Sequence, residues 1–479
     1  MIKNLFSLYT YRYPKNIAYM LQASEYDARN YLIWLSKTKN FNLVSRRKQF
    51  IKTKFSILLY RFIAGGMLLQ ILIGLIIIIL GFTNHFVGGQ YYGLAIILSY
   101  PVIWPYLILI LILVAKILII NPRDKIILDK AENIFKNHPG KIIAVLGSYG
   151  KTSMKEYLAI VLSEGKKVAV SPDNKNVALS HARFAQKLTG LEDYIVLEYG
   201  EGKNGDIAKL AKLTHPDFAI ITGLAPVHQN HYKSIKQQAD DLLSIEKYVD
   251  PTNIYLNSDT YFKDIKINKE INQFNDQSVL GFKISNILTD YSGTSFELSN
   301  KKQTNNFKSK VIGRHQVKYL ALIIVISEQL GLTLNQIKKG IAKTKAFPHR
   351  MELSELNGAM VIDDSYNGNI EGIKAGLNLI KDLKAKRKIY VTPGLVDQGK
   401  KTKDIHLEMG RYIAAASPDI VVLMQNSTTE SIKKGLAEDN YAGQLIVEDN
   451  PLDFYNNLSI FVAKDDLVLM QNDWPDNYK

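Results

Sequence analysis

The chain has 479 residues, 47% hydrophobic, with no cysteine and a formal net charge of +15 at pH 7. The length suits two or three domains with real cores, and the missing cysteine excludes disulfides, thiolate metal sites and a cysteine nucleophile. A charge this large would admit a nucleic-acid partner, but residues 1–61 hold twelve Lys and Arg against Glu25 and Asp27, a net +10, two thirds of the total.

Residues 1–55 therefore read as a basic cytoplasmic segment. Their end, "SRRKQFIKTKFSILLYR", runs straight into an apolar stretch. That arrangement points to anionic membrane lipids and away from nucleic acid. Residues 62–81, "FIAGGMLLQILIGLIIIILG", and 94–115, "LAIILSYPVIWPYLILILILVA", carry no charge over 20 and 22 positions. Each can cross a hydrocarbon layer of roughly 30 Å. Residues 56–120 are thus expected to form a two-helix transmembrane hairpin, its second helix kinked by Pro101 and Pro105. The loop "FTNHFVGGQYY" lacks Lys and Arg while both outer flanks are basic. The positive-inside rule then predicts a two-pass protein of the inner (plasma) membrane with both flanks and the catalytic domains in the cytoplasm. The first run begins too far from the N-terminus for a cleavable signal peptide.

Beyond residue 121 the pattern is α/β. Short apolar runs such as "KIIAVLG", "DYIVLEYG", "DFAIITGL", "GAMVIDDS", "RKIYVTPG" and "DIVVLMQN" alternate with helical stretches, as buried parallel strands with crossover helices do. A central domain over 121–345 and a C-terminal domain over 346–479 are expected, divided near "KTKAFPHR". The polar stretch 296–310 reads as a hairpin or loop. In "KIIAVLGSYGKTSMKEYLAIVL" (141–162) the usual phosphate-loop spelling G-x-x-x-x-G-K-[ST] would need glycine at Val145. The loop is instead shorter, G-x-x-G-K-[ST]. Its Gly147, Ser148, Gly150, Lys151, Thr152 and Ser153 would put backbone N–H groups and an ammonium at a helix N-terminus, which suits a polyphosphate. Thr152 or Ser153 can offer a hydroxyl to Mg²⁺. The plain alternative is a strand–turn–helix with an incidental Lys-Thr pair.

The compressed loop resembles that of the Mur ligase family, which uses ATP to add amino acids or peptides to peptidoglycan precursors. The resemblance runs over roughly residues 128–479 and is nearest the MurF type, the D-alanyl-D-alanine-adding branch. It is carried further by "SPDNKNVALS", with Asn174 and Asn176, and by "VLEYGEGKNGDIAKLAKLTHPDFAIITGLAPVHQNHYKS". In that segment Glu198 and His228 match the family's Mg²⁺ ligands. "GTSFEL", "IGRHQVKYLALIIVISEQLGL" with His315, "FPHRMEL" with Arg350, "MVIDDSYNGN" with Asp364, Tyr366 and Asn367, and "VTPGLVDQG" follow in order.

The resemblance implies a Mur-ligase-like central ATPase domain with a Rossmann-like C-terminal domain. It implies ATP and Mg²⁺ as cofactors, with the metal on Thr152, Glu198 and His228, and Lys151, Glu198, His228 and Arg350 as the catalytic group. Gly147, Ser148, Gly150, Lys151, Thr152, Ser153, Asn174, His315, Arg350, Asp364, Tyr366 and Asn367 would bind the nucleotide. Forming an amide from a carboxylate needs activation, and phosphoryl transfer from ATP supplies it as an acyl phosphate that an amine attacks. The partners would be a cell-envelope precursor bearing a free carboxylate and an amino acid or dipeptide amine.

Taken singly, Glu198 can also be a solvated strand-end carboxylate, His228 a loop histidine, Asp364 a turn residue and Arg350 a surface cation. The chain also departs from the family. Leu242 stands where a carbamylated lysine bridges to the second metal, with Asp241 the nearest carboxylate; Tyr319 replaces an asparagine; Gln471 to Asp473 replace a lysine-glycine-serine segment; and the apolar hairpin stands in place of the UDP-binding domain. The alternative reading is a membrane-tethered ATP-binding homologue that has lost ligation.

Overall fold

The structure, a computed structural model, describes residues 7–24, 26–38, 40–41, 44, 50–83, 85–173, 175–227, 231–262, 265–366, 368–396 and 398–472. The chain forms two compact units, Met1–Asp124 and Lys125–Trp474.

In the first unit α1 (Tyr13–Ala23) and α2 (Ala28–Lys37) precede the long α3 (Lys54–Phe82). There follow α4 (Gly89–Leu98), α5 (Tyr100–Ala115) and, through the π-helical turn Lys116–Ile120, α6 (Asn121–Lys136), whose residues from Lys125 on belong to the second unit. Lys54–Phe82 and Tyr100–Lys136 are long and apolar enough to cross a membrane, by length and composition. The N-terminal region is more than a basic segment. Tyr13, Ile17 and Met20 of α1 and Tyr31 and Trp34 of α2 are buried in one cluster with Leu59, Ile63, Tyr100 and Trp104. Charge counting hid this because the lysines and arginines are interleaved with an aromatic face.

The second apolar run is broken at Ser99, and not merely kinked. Pro101 lies in the first turn of α5 and Pro105 inside it. Pro105 has no N–H for the carbonyl of Pro101, and the Tyr13 hydroxyl donates to that oxygen at 2.9 Å. At the break, the Gln70 amide donates to the Ile96 carbonyl (2.7 Å) and Ser99 Oγ (3.0 Å), while Trp104 Nε1 donates to Gln70 Oε1 (2.7 Å). In apolar surroundings a bare backbone group is costly, so proline breaks need such partners. Glycine is required where α3 meets α4, since a Cβ on Gly93 would lie 2.4 Å from the Gly74 carbonyl oxygen.

The second unit holds two sheets. The first contains β1 (Lys141–Leu146), β2 (Val168–Val170), β3 (Tyr194–Glu198), β4 (Phe218–Ile221), β5 (Ile254–Asn257), β6 (Asn272–Phe274), β7 (Ser278–Val279), β8 (Phe282–Asp290), β9 (Gly293–Ser299) and β10 (Thr304–Ser309). Their order is β10-β9-β8-β7-β6-β5-β4-β1-β3-β2. Strands β1 to β6 pair in parallel and β7 to β10 extend the sheet antiparallel. The polar stretch 296–310 is the β9–β10 hairpin.

Alternate residues of the central strands bury on opposite faces. Ile143, Val145, Val196 and Ile220 pack with Tyr157 and Leu158 of α7 (Lys151–Leu162). Ile142, Ala144, Leu146, Leu197 and Ile221 pack with Phe135 and with Leu242 of α8 (Ile235–Leu243). Helix α9 (Val317–Gln329) covers the first face. The second sheet comprises β11 (Glu352–Leu356), β12 (Ala359–Asp364), β13 (Arg387–Thr392), β14 (Ile420–Met424), β15 (Gln444–Glu448) and β16 (Asp466–Gln471) in the order β11-β12-β16-β13-β14-β15, parallel except for β11.

Candidate active site

The carboxyl ends of β1, β3 and β4 carry the site, as expected for an open parallel sheet. Gly147 and Gly150 of the loop take positive φ (134° and 73°). A Cβ on Gly147 would meet Thr222 Oγ1 at 2.4 Å, and one on Gly150 would meet the Tyr319 hydroxyl at 3.0 Å, so the loop has no room for side chains at either point. Gly150 caps α7 without a side-chain hydrogen bond, leaving the first-turn N–H groups for an anion. Ser148 Oγ accepts from Gln238 Nε2 at 2.9 Å, which pins the loop to α8.

Lys151 Nζ donates to the Gly147 carbonyl and to Glu201 Oε2, the latter at 2.8 Å. Thr152 Oγ1 donates to Glu198 Oε2 (2.8 Å), and Asn176 Nδ2 to Glu198 Oε1 (3.0 Å). Of the two candidate hydroxyls, Thr152 is therefore the one beside the carboxylate; Ser153 is buried and hydrogen-bonds with Tyr157. The ammonium of Lys155, fully buried, donates to the carbonyls of Ser171 (2.7 Å) and Asp173 and lies 3.8 Å from Glu198 Oε2. Glu198 and Glu201 are 2% and 3% exposed. Burial pushes the Glu201 carboxyl above its ordinary pKa, opposed by the charge and hydrogen bond of Lys151. The orientation of Glu198 is also fixed behind the site, where His181 Nε2 bonds its backbone carbonyl at 2.9 Å. Burial drives the pKa of His181 down to about 4, so the ring is neutral and Nε2 is the donor.

From the turn leading into β11, Arg350 lays its guanidinium over the Tyr366 ring, 4.0 Å from the centroid, and feels the charges of Asp364 and Glu198. His349 and Met351 on either side hold positive φ (60° and 52°), an unfavourable backbone for both residue types that sets the direction of Arg350. Burial raises the Asp364 carboxyl to about 7, opposed by Gln471 Nε2, which donates to its Oδ2 at 2.9 Å, and by Arg350.

Glycines 147 and 150, Ser148, Lys151, Thr152, Glu198 and Arg350 are thus brought together, with Asp364 and Tyr366 beside Arg350. His315 sits in the turn before α9, where its Nε2 pairs with the Gln316 amide at 2.9 Å, and burial lowers its pKa to about 4. Asn174, His228 and Asn367 lie outside the described residues. Tyr319, the asparagine replacement, donates from its hydroxyl to the Thr222 carbonyl at 3.0 Å and packs beside Gly150. Leu242 is fully buried in the core, and both oxygens of Asp241 are engaged, by the Gly205 N–H (2.7 Å) and the Tyr232 hydroxyl (2.9 Å). Sequence reasoning passed over Glu201 and Lys155. The available signal was spacing: Lys155 falls one helical turn after Lys151, and Glu201 three residues after Glu198.

A glycine-bounded phosphate loop at the carboxyl end of the interior strand β1, with an arginine from the segment leading into the second sheet beside the site's carboxylate, is the arrangement of a nucleotide-dependent enzyme. Residues 145–326 match the Mur ligase middle domain and residues 349–471 the Mur ligase glutamate ligase domain. The chain belongs to the Mur ligase family, and as an enzyme it is an ATP-dependent ligase. It is 27% identical over 308 residues to the UDP-N-acetylmuramoyl-tripeptide–D-alanyl-D-alanine ligase of Escherichia coli (strain K12), covering 63% of this chain and 68% of that one. In fold it is similar to MurF from Acinetobacter baumannii (TM-score 0.65, 18% identity, 73% of this chain and 77% of that one). It is likewise similar to the MurF ligase of Thermotoga maritima in complex with ADP (TM-score 0.64, 21% identity, 73% and 80%). The ligase names of these relatives lend no support to the alternative of a homologue without ligation.

Proposed function

We propose that the protein is a membrane-anchored ligase that joins a carboxylate to an amine through an acyl phosphate, acting on a peptidoglycan or other cell-envelope precursor at the cytoplasmic face of the membrane. The observation that carries this is the convergence of Lys151, the Thr152–Glu198 pair and Arg350 on one glycine-bounded loop. Lys151 and the open N-terminus of α7 bind the β- and γ-phosphates, and Arg350 approaches from the other domain to neutralise charge on the transferring phosphoryl group. Asp364 and Tyr366 hold Arg350 in place.

The donor set fits Mg²⁺, being oxygen-rich, with a hydroxyl on a buried carboxylate and a further carboxylate oxygen, Glu201 Oε1, that has no partner among the described residues. Thr152 and Glu198 would hold the ion with His228, and it would add positive charge at the phosphates. A cleft of about 650 Å³ is lined by Ile235, Tyr261 and Ile265 together with Lys236, Lys266, Asp240 and the Lys374–Glu371 ion pair (3.0 Å), a mixed apolar and charged surface that could receive part of a precursor.

The two apolar helices and the basic N-terminal residues support the membrane anchor and its contact with anionic lipid. With the anchor in the position of a sugar-nucleotide-binding domain, a lipid-linked acceptor is the natural substrate. The test is Lys151→Ala in the purified chain, assayed for amine-dependent phosphate release. Turnover should fall by about 10²–10³-fold with folding intact. An unchanged rate would refute the assignment of the loop.

A further inference from the structure

We propose that Glu201 is a divalent-cation ligand at the phosphate loop, engaged when a nucleotide draws Lys151 away from it. The inference rests on the reading of the loop as a nucleotide site. Glu201 is 3% exposed, and its Oε2 accepts from Lys151 Nζ at 2.8 Å, while its Oε1 is buried with no partner among the described residues. The two oxygens of Glu198, by contrast, are held by Thr152 and Asn176. Two buried carboxylates are balanced here by two ammonium groups, Lys151 at Glu201 and Lys155 near Glu198.

Nucleotide binding disturbs that balance. The ammonium of Lys151 has a third N–H beyond those given to Gly147 and Glu201, and as it turns to the phosphates its charge is shared with them, so a buried carboxylate faces added negative charge with its counter-ion weakened. A hard cation with an oxygen preference, bridging Glu201 to the phosphates, restores neutrality and uses the bare Oε1. The neighbouring carboxylate of Asp241 is not free to do this, because both its oxygens already accept hydrogen bonds, and Leu242 is sealed in the core. Glu201 thus has two states: a partner that parks Lys151 in the empty site, and a cation ligand in the loaded one.

Mn²⁺, followed by its free-ion electron paramagnetic resonance signal, is the probe. It is titrated into the purified full-length chain with a non-hydrolysable ATP analogue, for the wild type, Glu201→Gln and Glu198→Gln. Glu201→Gln should weaken Mn²⁺ binding by at least about tenfold, the lower figure for groups that merely orient a metal ligand. Its affinity for the analogue in chelator should stay level or rise, since Lys151 is released. Mn²⁺ affinity within twofold of the wild type would overturn the proposal. A wild type that binds neither analogue nor Mn²⁺ would instead sink the nucleotide-site reading beneath it. If Glu201→Gln fails to fold, Glu201→Asp, which withdraws the carboxylate by one methylene, is read in the same titration and should also weaken Mn²⁺ binding; retention of wild-type affinity there would count against the proposal.

Discussion

Lys155→Met removes a charge from the least exposed lysine of the site while nearly keeping its volume. The ammonium, 0% exposed, donates to the buried carbonyl of Ser171 at 2.7 Å and to that of Asp173, and stands 3.8 Å from Glu198 Oε2. Its salt bridge to Glu156 (3.0 Å) matters less, because Glu156 can turn to water. Removing the cation strips the Ser171 carbonyl of a charged donor and leaves Glu198 with only neutral partners, Thr152 and Asn176. Breaking a buried pair from one side costs about 3–5 kcal/mol, to which the orphaned carbonyl contributes. Lys125–Trp474 contains 350 residues. At about 2.1 cal/mol/K of unfolding entropy per residue, a loss of that size lowers Tm by about 4–7 °C. Thermal unfolding of the purified variant measures it, with Lys155→Arg expected to recover part of the loss. A shift below about 1 °C, well under 1 kcal/mol by the same conversion, would show that Lys155 is not the anchor of the Glu198 site.

Asp364 holds its proton longer in the folded than in the unfolded chain, since burial raises its pKa to about 7. Its protonated form therefore favours the native state at low pH, and that contribution, at most about 4 kcal/mol, is lost as pH climbs from about 4 through about 7. Asp364→Asn should flatten this part of the Tm-against-pH profile, and an unaltered profile would contradict it. Glu198→Gln should lower turnover by about 10–100-fold or more, as loss of a metal-site group does. Bicarbonate depletion should leave wild-type turnover unchanged, because Leu242 cannot carry a carbamate; activity that collapses and returns with bicarbonate would reveal a lysine, such as the exposed Lys247, in that role. The chain has no native cysteine, so Val87→Cys, at a position 92% exposed in the loop between α3 and α4, gives a clean topology probe. A membrane-impermeant thiol reagent should label it from outside the cell, and labelling from the cytoplasmic side only would defeat the hairpin.

The glycine-bounded loop, the parallel strands and the two apolar runs were legible in the sequence because each depends on neighbours within a few residues: turn glycines, alternation at period two, and length without charge. The loop spelling located Lys151 and Thr152, and the resemblance to the Mur ligase family singled out Glu198 at the strand end. The remainder depended on topology. Lys151 meets Glu201 across 50 positions and Thr152 meets Glu198 across 46, and only the order of β1 and β3 in the sheet closes those distances. The carboxylate of Asp241, promising by spacing, is spoken for by Gly205 and Tyr232, whereas Glu201, unremarked in the sequence, keeps a bare oxygen. The aromatic cluster of Tyr13, Tyr31 and Trp34 stayed hidden beneath the basic composition of the first helices until their packing with α3 and α5 became visible. Local rules fix which elements form. Which side chains are buried, paired or left bare is decided by the elements that come to rest beside them, and a linear chain does not carry that information at any one place.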